Sequence, residues 1–226
     1  MIEFLKLPFS LISEWACLIA SILLVKKSDV LVWRLFPLYL FIIVGVESYG
    51  FYLARVAKSG NNQLLYNLLM PICMVFPLYV FSQIVNLRNI KFICYILLLL
   101  FFCFYFGEWL YQGISSFFYR THVLYNLLVI ALCFIYYYSL FQQEEYSNLL
   151  DDPSFWFVTG CIMFFAISIS VNIFFAELVR GLVKKQIPVR FIIMGIINVI
   201  LYGCWIKSFI CLRSNRTYTP QSFSQY

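Results

Sequence analysis

Four glutamates, Glu14, Glu47, Glu108 and Glu177, lie within long apolar stretches of the sequence. A charge at the centre of a membrane helix costs about 2.5–3.5 kcal/mol on insertion scales, so an ionisable residue there is a functional hypothesis by default. Such a carboxyl group can hold a proton, a cation or a polar ligand. The structural alternative is an interhelical hydrogen bond, worth about 0.6 kcal/mol on average in a membrane bundle.

The four glutamates differ in depth. Glu47 is the deepest, because it lies eight residues before Arg55, which is roughly 12 Å along a helix at 1.5 Å per residue. The position of Glu14 along its stretch is almost as deep, but Ser10, Ser13 and Trp15 around it favour a place nearer the interface. Glu108 lies near the end of its stretch. Glu177 has an arginine three residues later, which is the spacing of a helical ion pair. A binding role is therefore favoured first for Glu47 and next for Glu14.

A short segment recurs along the chain. Residues 65–69 and 124–128 both read Leu-Tyr-Asn-Leu-Leu, which sets Asn67 and Asn126 at equivalent positions. Chance recurrence in a chain rich in leucine and tyrosine is the competing explanation.

Each of these asparagines follows a glutamate by about twenty residues, and a looser third case lies near the carboxyl end. The pairs are Glu47 with Asn67, Glu108 with Asn126, and Glu177 with Asn198. The spacing predicts that all of these side chains, together with Glu14, lie in the same half of the membrane. Repeated units often frame a central binding site in transporters.

Seven apolar stretches would position these side chains, each of a length that crosses a bilayer as a helix. They are residues 8–25, 31–54, 63–85, 91–111, 122–141, 155–178 and 189–212. The chain is 63% hydrophobic and 12% charged, outside the range of soluble domains. Its continuous apolar runs do not alternate as barrel strands do. The sequence predicts an all-α, polytopic integral membrane seven-helix bundle over 1–212, with one helix plus three related hairpins as a candidate arrangement. A polar, flexible tail at 213–226 is expected to follow.

Several chemistries are disfavoured by composition. His122 is the only histidine, and the eight cysteines lie inside or beside the apolar stretches without a CxxC pair, so no metal site is expected. Lys207 lies near the end of its stretch, where snorkelling to the interface is favoured over a retinal linkage. The net charge of +6 is spread over short loops, which favours lipid headgroups over nucleic acid as the basic residues' partner. We expect no catalytic residue and no cofactor, and an enzyme is disfavoured.

Membrane orientation is nearly balanced by the positive-inside rule, which counts basic residues near span ends. One side carries seven such residues: Lys26, Lys27, Arg34, Arg88, Lys91, Arg213 and Arg216. The other side carries eight: Lys6, Arg55, Lys58, Arg120, Arg180, Lys184, Lys185 and Arg190. The first helix often dominates, which favours an amino terminus outside and a cytoplasmic carboxyl terminus. The basic loop between the last two stretches favours the reverse.

The sixth stretch has a sharply defined start, since residues 149–156 read Leu-Leu-Asp-Asp-Pro-Ser-Phe-Trp. Asp152 is a good N-cap and Pro153 suits the first helical position. This start, with Gly160, the Lys-Lys pair at 26–27 and Ile-Ile-Asn-Val-Ile at 196–200, resembles an uncharacterised family of small seven-span inner-membrane proteins of Bacteroidota-type bacteria.

The resemblance implies a bacterial inner membrane and a signalling context, because genes of that family often lie near two-component sensor kinases. It also implies a Gly-Asn pair within the sixth span. This chain has Ile167 and Ser168 there, so a shared polar site at that point is not expected.

Two classes of function fit these features. The first is a receptor-like sensor or signalling accessory with a polar intramembrane pocket around Glu47 and Asn67, which would bind a small ligand. Its tail or the acidic loop at 142–152 would contact a signalling protein. The second is a small-solute or proton-coupled transporter that uses the same carboxyl group. An integral-membrane lipid enzyme is a weaker third class.

Overall fold

The computed structural model describes residues 9–25, 30–55, 62–142, 148–174 and 189–218. Over these residues the chain forms α-helices and no strand. The helices are α1 (Phe9–Val25), α2 (Leu31–Arg55), α3 (Gln63–Ile84), α4 (Ile90–Gln112), α5 (Tyr119–Phe141), α6 (Pro153–Ile173) and α7 (Val189–Tyr218). A single 3-10 turn, Leu149–Asp151, precedes α6.

The predicted all-α membrane bundle is confirmed. In the described part of the chain, six helices are long and apolar enough to cross a membrane, and α1, at 17 residues, is shorter. Helix α5 begins at Tyr119 and not at 122, because polar residues in its first turn lower the hydropathy there. Helix α7 continues to Tyr218, beyond the predicted end at 212. The hydropathy signal stops where a helix leaves the hydrocarbon, not where the helix itself ends.

Six of the helices form a closed ring. Helix α1 packs on α2, and the contacts then run from α2 to α3, α3 to α5, α5 to α6, α6 to α7 and α7 back to α1. Helix α4 lies outside this ring, against α3 and α5. Its buried residues are few, namely Ile90, Cys94, Phe101 and Tyr105, so most of its apolar surface faces lipid.

An aromatic cluster fills the half of the ring on the side of the α1–α2, α3–α4 and α5–α6 connections. Phe36 is fully buried at its centre and packs edge-on against Phe157 and Phe209, with ring centroids 5.6 and 5.3 Å away. Trp205 stacks on Phe157 at 5.4 Å. Aromatic pairs at such distances add to the stability gained from burial, so this half of the bundle is solidly packed.

Helix α6 is fixed at both its start and its middle. Asp152 accepts a hydrogen bond from the Ser154 amide at 2.8 Å, with Pro153 in the first helical position; the predicted cap is confirmed. Further along, a Cβ on Gly160 would lie 2.9 Å from Cys204 Cβ and 3.2 Å from the Leu201 carbonyl oxygen. Gly160 therefore allows α6 and α7 to approach closely.

Candidate functional site: an intramembrane cavity

The other half of the ring contains a cavity of about 730 Å³. It lies on the side where α1, α3, α5 and α7 begin, which is the half predicted for the glutamates and asparagines. All six ring helices contribute to its described lining, whereas α4 contributes no described residue. Tyr39 and Trp205 line the cavity and also touch Phe36 of the aromatic cluster. They therefore form the floor that separates the cavity from the packed half.

Two predicted carboxyl groups meet in this cavity. Glu14 on α1 is only 4% exposed, and its Oε2 atom is buried without a hydrogen-bond partner among the described residues. Glu47 on α2 accepts a hydrogen bond from the Tyr66 hydroxyl on α3 at 3.1 Å. Both carboxyl groups line the same cavity, and two ionised carboxylates there repel each other.

Two predicted asparagines also line the cavity. Asn126 on α5 is fully buried, and its amide nitrogen donates to the Ser168 hydroxyl on α6 at 3.2 Å. Its Oδ1 atom is buried without a partner among the described residues. Asn198 on α7 is half-buried and belongs to the same lining. The structure thus brings Glu14, Glu47, Asn126 and Asn198 together in the lining of one cavity.

Asn67, the other predicted asparagine of the repeated segment, lies outside the cavity. It is fully buried and its amide nitrogen donates to the carbonyl oxygens of Ile114 and Ser116, at 2.8 and 2.7 Å. Its Oδ1 accepts from the Phe118 amide at 3.1 Å. Asn67 is absent from the cavity's described lining. All of its side-chain bonds go to the α4–α5 connection, so it is a structural residue.

Glu108 also lies outside the described lining. Its carboxylate accepts hydrogen bonds from the Thr121 amide at 2.8 Å, the Thr121 hydroxyl at 2.7 Å and the Arg120 amide at 3.2 Å. These groups belong to the first turn of α5, where amides lack partners within the helix. Glu108 therefore caps α5 from the end of α4. Glu177, the remaining predicted glutamate, lies outside the described residues.

Basic groups also line the cavity. His122 on α5 is half-buried between the rings of Phe117 and Tyr125, with centroids 5.6 and 6.2 Å away. Arg190, in the first turn of α7, is exposed and lies in the same lining. Lys207 is not part of it; its Nζ lies 6.0 Å from the centre of the Trp156 ring, near the start of α6. The expected position near an interface fits this contact.

Sequence reasoning missed the aromatic side chains of the site. Tyr39, Tyr202 and Trp205 line the cavity and are buried. Tyrosines near span ends are expected in an interfacial aromatic belt, but Tyr39 and Tyr202 lie within α2 and α7, away from the helix ends. A hydroxyl at that depth cannot reach the headgroups, so it needs a partner inside the protein. A tyrosine far from both ends of an apolar stretch is therefore the sequence signal that could have identified Tyr39 and Tyr202.

The cavity is mainly an apolar and aromatic chamber with a few polar groups, and its carboxyl groups come from α1 and α2. Such a chamber can bind a small molecule of mixed character, with the polar groups fixing its orientation. No protein-family model, curated protein or solved structure matches the chain.

Proposed function

We propose that the protein is a receptor-like membrane sensor or signalling accessory that binds a small ligand in the cavity. The observation that carries this proposal is the cavity's position above a packed floor. Its volume of about 730 Å³ is typical of small-molecule sites, which are mostly apolar with a few convergent polar groups. The aromatic cluster fills the opposite half of the ring. A chamber closed at one end favours binding over passage.

The proposed orientation determines which side of the membrane the cavity faces. With the amino terminus outside and the carboxyl terminus in the cytoplasm, the cavity lies in the outer half of a bacterial inner membrane. The turn Leu149–Asp151 and the end of α7 then lie on the cytoplasmic side. A ligand from outside would be bound at one end of the bundle, and a partner would be contacted at the other.

A signalling protein is the partner that we propose at the cytoplasmic end. The resemblance to the seven-span family supports this, since sensor-kinase genes often accompany that family. The acidic residues Asp151 and Asp152 flank the turn before α6, and Asp151 is exposed. Much of the 142–152 loop and of the tail lies outside the described residues.

The first experiment uses two tryptophan substitutions at native cysteines. Cys73 on α3 lines the cavity, whereas Cys103 on α4 is exposed to lipid. A small-molecule library is screened for compounds that raise the melting temperature of the wild-type protein in lipid nanodiscs. We expect Cys73→Trp to abolish the shifts because the indole fills the cavity, and Cys103→Trp to preserve them. Shifts that survive in a folded Cys73→Trp protein would contradict a ligand site in the cavity.

A proton- or cation-coupled transporter is the second candidate, favoured by the buried carboxyl groups of Glu14 and Glu47. Flux of a library hit into proteoliposomes separates the two functions. A sensor binds the compound without flux, and co-purifies with a signalling protein. A transporter accumulates the compound, and Glu47→Gln abolishes uptake while leaving the protein folded. A lipid enzyme is the weakest candidate, because no feature of the described cavity specifically favours it.

A further inference from the structure

We propose that the cavity selects an organic cation, a molecule with a protonated amine on an apolar or aromatic body, and that Glu14 and Glu47 hold the amine. This inference rests on the proposed function, that the cavity binds a small ligand. It adds the charge and the chemical class of that ligand.

The first reason is an acceptor without a donor. Glu14 is 4% exposed, lines the cavity, and its Oε2 atom has no hydrogen-bond partner among the described residues. A buried polar atom left without a partner is costly, and more so when it belongs to a charged group. A ligand that donates a hydrogen bond to this oxygen removes that cost. A ligand that only accepts hydrogen bonds does not.

The second reason is the number of acceptors that converge. Glu47 receives a hydrogen bond from Tyr66 and lines the same cavity as Glu14. An ammonium group carries three donors and one positive charge. It can therefore bond both carboxylates and offset their repulsion. On the opposite side of the ring, Asn126 Oδ1 offers a further buried acceptor without a partner among the described residues.

The third reason is the aromatic wall around these acceptors. Tyr39, Tyr66, Tyr202 and Trp205 line the same cavity as the two glutamates. Aromatic ring faces attract cations, and this attraction is stronger where water is excluded. The same rings offer apolar area for a ligand's body. A bare metal ion would leave this surface unused, and no three His, Cys, Asp or Glu side chains group as metal ligands in the described part of the chain.

The cavity's basic groups define the competing outcome. Arg190 and His122 line it from α7 and α5, and an anionic ligand would be expected to bind there. Arg190 is exposed at the start of its helix, whereas Glu14 is buried. Because charges in water are screened and buried charges are not, the buried carboxyl group outweighs the exposed guanidinium in selecting ligand charge.

The test compares three probes that share an indole ring and differ in charge. They are tryptamine, which is cationic, tryptophol, which is neutral, and indole-3-propionate, which is anionic. Binding of each radiolabelled probe to the full-length protein in nanodiscs is measured at pH 7, and binding to empty nanodiscs is subtracted. Glu14→Gln is the test variant. Asp151→Asn is the control, because it removes an exposed carboxylate on the side of the bundle opposite the cavity.

We expect tryptamine to bind at least about tenfold more tightly than tryptophol, because only tryptamine forms charge-assisted hydrogen bonds with the carboxyl groups. Indole-3-propionate should bind most weakly. Glu14→Gln should reduce tryptamine affinity to that of tryptophol, and Asp151→Asn should leave it unchanged.

If tryptophol or indole-3-propionate binds as tightly as tryptamine, and Cys73→Trp blocks that binding, the cation preference is wrong while the ligand site stands. Binding of none of the probes would overturn the cation proposal. Library shifts that also survive in Cys73→Trp would overturn the proposed function itself.

Discussion

At the level of single residues, the polar side chains of the apolar helices divide according to whether the protein satisfies their hydrogen bonds. Asn67 makes three side-chain bonds to the α4–α5 connection, and Glu108 makes three to the first turn of α5. Glu14 and Asn126 each leave a buried oxygen without a partner among the described residues. The first pair has a structural role, and the second pair is available to a ligand.

Replacement of the two asparagines by alanine should separate these roles. Asn67→Ala leaves two part-buried carbonyl oxygens and one buried amide without their partner, so we expect a loss of about 2–4 kcal/mol in the free energy of unfolding. Asn126→Ala removes one interhelical hydrogen bond, and we expect a loss below about 1 kcal/mol. Unfolding measured in the same lipid nanodiscs for both variants checks this. Equal losses would show that Asn67 has no special structural role.

The sequence predicted part of the site and missed part of it for a physical reason. A glutamate in an apolar stretch is easily recognised in a sequence, because the free-energy cost of placing its side chain in lipid does not depend on which residues flank it. Glu14 and Glu47 were found in this way. An asparagine gives no such indication of its partner: Asn67 and Asn126 have identical neighbours in sequence, yet one faces a connection and the other faces the cavity. Only the packing of the helices distinguishes them.

At the level of elements, α6 and α7 make the closest helix pair that the glycines reveal. A Cβ at Gly160 would meet Cys204 Cβ at 2.9 Å and the Leu201 backbone oxygen at 3.2 Å. A Cβ at Gly203, on α7, would lie more than 4 Å from the nearest described atom outside its own helix turn. Glu47 and Glu108 each accept a hydrogen bond from a residue near the start of the helix that follows, Tyr66 of α3 and Thr121 of α5 respectively. Whether the three hairpins are related stays a prediction.

Alanine at these two glycines should have opposite effects. Gly160→Ala forces α6 and α7 apart against backbone, and we expect it to destabilise the protein by about 1–3 kcal/mol. Gly203→Ala adds a methyl group in open space within a helix, and we expect no loss, or a gain of up to about 1 kcal/mol. Melting temperatures of both variants in one detergent provide the comparison. An unchanged melting temperature for Gly160→Ala would mean that α6 and α7 do not pack this closely at Gly160.

At the level of the whole molecule, the described helices form a ring of six that encloses a cavity and the aromatic cluster, with α4 outside. Apolar stretches predict the number of helices well, because bilayer thickness fixes their length. They do not predict which helix is peripheral. Helix α4 has the highest mean hydropathy of the candidate spans, 2.3, and this fits its exposure to lipid. The ring order itself depends on side-chain packing that no hydropathy pattern encodes.

The proposed binding site depends on the access of water to the mainly apolar cavity that Glu14 and Glu47 line in one half of this ring. Three native cysteines test it without substitution: Cys73 lines the cavity, Cys133 is fully buried outside its described lining, and Cys103 faces lipid. The protein in nanodiscs is treated with a methanethiosulfonate reagent that carries a trimethylammonium group, and the modified peptides are quantified by mass spectrometry over time.

A charged reagent cannot enter lipid or a packed core, but it can enter a cavity that water reaches and that carries carboxyl groups. We therefore expect Cys73 to be modified at least about tenfold faster than Cys133 and Cys103, in keeping with the high cost of moving a charge into hydrocarbon. Modification of Cys73 that is no faster than that of Cys133 would contradict the cavity, and with it the proposed binding site.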